Sequence, residues 1–75
     1  MEQYRIEQDG NQITIWNDTA GVGLRFTQGE TLQRYTSELI TTGKTTDVET
    51  LSNISAVLTD YAAKRYPMEF EPIKA

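Results

Sequence analysis

The feature that most constrains the fold is an alternation of apolar and polar residues on both sides of a turn signal near the N-terminus. Tyr4 and Ile6 precede the Asp9-Gly10 pair, and Ile13 and Ile15 follow it. Alternation with period two is typical of a strand with one buried face, and Asp-Gly is a preferred two-residue hairpin turn. The sequence therefore predicts a β-hairpin. Its register pairs Ile6 with Ile13 and Tyr4 with Ile15.

A third strand is predicted after the hairpin. Residues 17–21 are turn formers, and Val22, Leu24 and Phe26 then alternate with polar or small residues. The third strand would return beside the second and complete an antiparallel meander. One face of this meander is apolar along all three strands, so helices are needed to cover it.

Two helices are predicted in the second half of the chain. Thr27–Glu30 fits a capping box, and Gly43 stands where a left-handed residue would end the first helix. Thr46–Glu49 is a second box, and Pro67 would end the helix that it opens. The apolar residues with helical spacing are Leu32, Tyr35, Leu39 and Ile40 in the first helix, and Val48, Leu51, Ile54, Leu58, Tyr61 and Ala62 in the second.

These elements predict a single α+β domain over residues 1–75, with a three-stranded antiparallel meander and two α-helices packed on one face. No linker or repeat divides the chain. Residues 68–73 alternate apolar with acidic side chains. The C-terminal stretch of residues 67–75 therefore fits either a short edge strand or an extended tail.

Composition narrows the classes of function. The chain has no cysteine and no histidine, which removes thiolate and imidazole chemistry, so we expect no metal, no cofactor and no enzymatic activity. Seven basic against eleven acidic residues give a net charge of −4, which disfavours nucleic acid and anionic membranes. No apolar run spans a bilayer and no secretory leader is evident at the N-terminus, so the expected location is cytoplasmic.

Two glycine-containing runs resemble phosphate-binding motifs only in part. Gly43-Lys44-Thr45-Thr46 matches the end of a phosphate loop, but Glu38 stands where another glycine is required, and a predicted helix precedes the run where a strand is needed. Gly21-Val22-Gly23 is a fragment of the dinucleotide fingerprint without its third glycine. We interpret the first run as a join between helices and the second as easing the turn into the third strand.

The candidate binding site lies on the other face of the predicted sheet. Arg5, Trp16 and Arg25 all point away from the apolar side in this register. Tryptophan and arginine dominate binding hot spots because they bury a large area while keeping a polar group for the partner. Two structural alternatives remain open: Met68 and Phe70 could fold over Trp16, or Trp16 could be half-exposed with an arginine stacked on it.

The sequence thus favours a protein that acts by binding another protein or a second copy of itself, as a regulator, inhibitor or accessory subunit. One alternative is an inhibitor whose acidic side chains mimic nucleic-acid phosphates. Another is direct nucleic-acid binding through the sheet, which the net charge disfavours. An enzyme that is assembled only in an oligomer is the last alternative.

Overall fold

The computed structural model describes residues 4–30, 34–66 and 68–70. Its elements follow the chain in the order β1 (Arg5–Asp9), β2 (Gln12–Asn17), β3 (Val22–Gln28), β4 (Arg34–Thr41), α1 (Val48–Arg65) and β5 (Glu69–Phe70). The strands form one sheet in the order β1-β2-β3-β4-β5. Each pairing among β1 to β4 is antiparallel, whereas β5 pairs parallel with the start of β4. The α+β class is confirmed.

The N-terminal hairpin forms with its turn one residue later than the sequence predicts. The loop consists of residues 10–11, and Gly10 has a φ of 58° while no non-glycine residue has a positive φ among those described. Positive φ at the first loop position alone is the pattern of a type II′ turn. Ile6 consequently lies opposite Ile15 instead of Ile13. Because the pairing shifts by two residues, every side chain keeps its predicted face.

The prediction of a first helix is wrong, because this segment forms strand β4. Residues 35–41 of this strand pair with the whole of β3, from Thr41 opposite Val22 to Tyr35 opposite Gln28. Thr27, the supposed helix cap, lies within β3. The residues of β4 include threonine, isoleucine and tyrosine, which prefer strands, and pairing with β3 satisfies the backbone groups that a three-stranded meander would leave open.

The second predicted helix is α1, and its N-cap is Asp47. The Asp47 carboxylate accepts hydrogen bonds from the Thr50 backbone N–H at 2.9 Å and from the Thr50 hydroxyl at 2.7 Å. These two bonds, the hydroxyl first, lower the pKa of Asp47. The helix ends at Arg65, before Pro67, which lies outside the described residues.

The core lies between α1 and the sheet face that α1 covers. Strands β2 and β3 contribute Ile13, Ile15, Val22, Leu24 and Phe26, and the helix contributes Leu58 and Ala62. Ile54 and Tyr61 pack against this core, and the Tyr61 ring meets Tyr4 edge-on with 4.9 Å between centroids. Val48, predicted on the buried side, is 79% exposed, because the first turn of α1 extends beyond the core.

Candidate functional site

The three predicted site residues share the sheet face that α1 does not cover, called here the uncovered face. One row of side chains crosses it from β1 to β4, and a second row runs beside the first. The first row is Arg5, Trp16, Gly23 and Ile40, and the second row is Glu7, Thr14, Arg25 and Glu38. The structure therefore places Arg5 and Trp16 in neighbouring positions and Arg25 in the adjacent row.

Trp16 packs against the backbone of Gly23. A Cβ atom added to Gly23 would lie 2.8 Å from Cε3 of the indole ring, closer than carbon atoms approach. Only glycine leaves space for the ring here, and Trp16 is half-buried as a result. Gly23 lies inside β3, which is the predicted third strand, but its role beside Trp16 was not predicted. A glycine inside a strand pattern, on the strand next to a tryptophan, is the signal that could have found it.

Arg5 stacks on the exposed side of Trp16, and an ion-pair network holds Arg5 in that position. Its guanidinium carbon lies 5.5 Å from the centroid of the Trp16 ring, within cation–π range. Nε and Nη2 donate to the two carboxylate oxygens of Asp18 at 2.9 Å each, and Nη1 donates to Glu7. The bond to Asp18, followed by the bond to Glu7, raises the pKa of Arg5, and the bond from Arg5 lowers the pKa of Asp18. The guanidinium is thereby fixed in one orientation over the indole.

The indole N–H of Trp16 is the one buried polar side-chain group of the described residues that has no hydrogen-bond partner. Nε1 is buried and has no acceptor among them. A buried donor without a partner costs about 1–3 kcal/mol. Trp16 is therefore held in place by packing on Gly23 and stacking under Arg5, without help from its own hydrogen-bonding group.

Arg25 differs from Arg5 in having no carboxylate within ion-pair distance among the described residues. The salt bridges there join Arg5 to Glu7 and Asp18, and Lys64 to Asp60. Arg25 lies opposite Glu38 in the strand register and is half-buried. Its charge is thus available to an outside group, whereas the charge of Arg5 is already compensated.

The C-terminal segment does not cover Trp16 in the described residues. Met68 packs against the core under α1, on the opposite side of the sheet, and the Phe70 side chain lies outside the described part. The strand β5 joins the sheet at β4, the edge far from Arg5. Of the two structural alternatives for Trp16, the structure shows the second, in which Trp16 is half-exposed and Arg5 stacks on its ring.

The Gly43-Lys44-Thr45-Thr46 run joins a strand to a helix, so the prediction that a helix precedes it is wrong. Gly43 has a φ of 87° and lies in the loop after β4, not at a helix C-terminus. The Thr45 hydroxyl donates to the Ala20 carbonyl at 2.6 Å, which ties this loop to the turn before β3. Position 38, where a phosphate loop has its first glycine, is Glu38 inside β4, so the run still lacks that glycine. The run therefore connects a strand to a helix, and the predicted join between two helices is wrong in its first element.

A small cleft lies on the other side of the molecule, between α1 and the start of the sheet. Its volume is about 140 Å³, below the several hundred Å³ of typical ligand pockets. It is lined by Tyr4, Asn17, Asn53, Ile54, Val57 and Leu58. Residues 4–30, 34–66 and 68–70 include no group of three acidic side chains placed to hold a metal ion. No helix in these ranges is long and apolar enough to cross a membrane.

Comparison with known proteins gives no relative for this chain. No family model, no curated protein and no solved structure matches it.

Proposed function

We propose that this chain acts by binding another protein through the uncovered face, as a regulator, inhibitor or accessory subunit. The observation that carries the proposal is the stack in which Gly23 supports Trp16 and Trp16 supports Arg5. Binding hot spots are rich in tryptophan and arginine, and they bind more tightly when the side chains are fixed before the partner arrives. The ion pair with Asp18 supplies that rigidity for Arg5.

The partner chemistry follows from the charges on this face. Arg5 already donates to two carboxylates, so it offers a flat, compensated surface for apolar or aromatic contact. Arg25 lacks a carboxylate partner among the described residues and suits an acceptor on the partner, such as a carboxylate or a backbone carbonyl. A nucleic-acid backbone fits less well, since its phosphates would compete with Glu7 and Asp18 for Arg5.

Affinity capture followed by titration tests this proposal. The immobilised chain is exposed to an extract of the cells that produce it, the bound protein is identified by mass spectrometry, and the purified pair is titrated by calorimetry. Trp16→Ala should weaken binding by about 2 kcal/mol, roughly thirtyfold. Arg25→Ala should also weaken binding without changing the circular-dichroism spectrum, because the described residues hold no ion pair of Arg25 to lose.

Val48→Ser is the matched control, since Val48 is an exposed apolar residue on α1, which packs on the other face of the sheet. It should leave the affinity unchanged. A partner that binds Trp16→Ala and Arg25→Ala as tightly as the parent would contradict the proposal. Capture of nucleic acid, with affinity falling steeply as salt rises, would instead support the sheet as a nucleic-acid surface.

A further inference from the structure

No strand among the described residues pairs with the outer edge of β1, the first strand of the sheet. Four of its five residues are exposed, and Ile6 is half-buried at the rim of the core. An edge of this kind presents unpaired backbone N–H and C=O groups to any strand of matching sequence.

The charges along β1 are complementary to those of a second β1 running antiparallel. Arg5 and Glu7 lie on the uncovered face, and Ile6 lies between them on the covered face. If a two-fold axis passes through Ile6, Arg5 of each copy lies opposite Glu7 of the other, and the two Ile6 side chains meet. Opposite charges directly across two strands stabilise their pairing.

Neighbouring registers are less favourable. An axis through Glu7 places the two Glu7 carboxylates against each other, and an axis through Arg5 does the same for the two guanidinium groups. An axis through Gln8 sets Glu7 against Asp9. Only the axis through Ile6 joins opposite charges without bringing like charges face to face.

The other edge of the sheet offers no such match. β5 covers the start of β4, at Arg34 and Tyr35, and residues 36–41 pair with no further strand in the described part of the chain. Glu38 is the only charged residue in that stretch. Two copies paired along it therefore have no ion pair to fix their register.

We propose that this chain forms a symmetric homodimer in which the β1 strands of two copies pair antiparallel about Ile6. The pairing joins the two sheets into one and keeps both helices on the same side. Ile6, half-buried in the single chain, becomes covered by its counterpart. Nη1 of Arg5, which binds Glu7 of its own chain, faces Glu7 of the second copy, while Nε and Nη2 keep their bonds to Asp18. The dimer does not depend on the protein partner proposed above.

A charge-swap experiment by sedimentation equilibrium tests the dimer. Arg5→Glu and Glu7→Arg should each weaken self-association about tenfold or more, because each variant sets like charges against each other at both ends of the pairing. A mixture of the two variants restores opposite charges at both ends. It should therefore form heterodimers with an affinity close to that of the parent.

Glu38→Arg is the matched control, since it makes the same charge change on β4 and should leave the dimer intact. A parent chain that stays monomeric up to millimolar concentration would overturn the proposal. The proposal also fails if the mixture does not restore association, or if Glu38→Arg alone abolishes it. Trp16→Ala distinguishes the two proposals, because it is expected to reduce binding of the protein partner while the β1 charges stay in place.

Discussion

The two faces of the sheet are held in place by different forces. On the covered face, Leu58 is fully buried against strands β2 and β3, and its contribution is removal of apolar area from water. On the uncovered face, one aromatic ring lies on a glycine under an arginine that is fixed by carboxylates. The first face depends on packed apolar volume. The second depends on the close contact between Trp16 and Gly23 and on the ionised carboxylates that hold Arg5. The two faces should therefore respond to different perturbations.

The largest expected effect is on the covered face. Leu58→Ala removes a fully buried side chain between helix and sheet and should lower the free energy of unfolding by about 2–5 kcal/mol. Urea denaturation followed by circular dichroism measures it. Val48→Ala, at an exposed site of the same helix, should stay within about 0.5 kcal/mol of the parent. Equal losses in the two variants would show that α1 packs through a different side.

A smaller effect is expected under the tryptophan. Gly23→Ala inserts a methyl group where Cε3 of Trp16 would be 2.8 Å away, so the ring must move. Overpacking of this kind costs about 1–3 kcal/mol. Unfolding curves in urea measure the loss.

The double variant isolates the cause of that loss. In a Trp16→Ala background the methyl group meets no ring, and alanine should be tolerated as well as glycine or slightly better. If Gly23→Ala costs as much without the tryptophan as with it, the contact between Gly23 and Trp16 does not explain the requirement for glycine.

The smallest expected effect concerns pH on the uncovered face. Arg5 lowers the pKa of Asp18 below its ordinary value of 3.8 in the folded chain. The ionised form therefore stabilises the fold above that value, and the stabilisation is lost as pH falls through the lower, folded-state pKa. The melting temperature of the parent should thus drop more steeply than that of Asp18→Asn between about pH 4 and pH 2. Parallel curves for the two chains would contradict the role of this ion pair.

The elements that could be predicted from sequence are those whose pattern has one reading. In β2 and β3 the inward-facing apolar residues occur at every second position, a spacing that no helix period fits. The helix α1 combines an N-cap with apolar residues that recur every three or four positions. The faces of the hairpin were correct although its register was not, since a shift of two residues preserves the alternation. Which residues of the Asp9-Gly10-Asn11 run enter the loop depends on the turn type, and the sequence permits more than one.

β4 could not be predicted in the same way because two periods fit it. Tyr35 and Leu39 are four residues apart, which places them on one side of a helix and also on one face of a strand. The neighbouring β3 decides between the two, and that is a tertiary effect. In the candidate site, the shared face of Arg5, Trp16 and Arg25 followed from alternation alone. Asp18 lies in a turn, and its contact with Arg5 depends on the path of that turn.

The parallel pairing of β5 with β4 bears on the order of folding. Strands β1 to β4 follow one another closely along the chain, so each pairing closes a small loop and can form early. β5 reaches β4 only after the chain has passed through the whole of α1, and among the described residues the pairing covers Arg34 and Tyr35. Contacts between residues so distant in sequence are slow to form, and two paired residues add little stability. The meander should therefore assemble first and the helix should dock on it, leaving β5 as the last strand to close and the first to open.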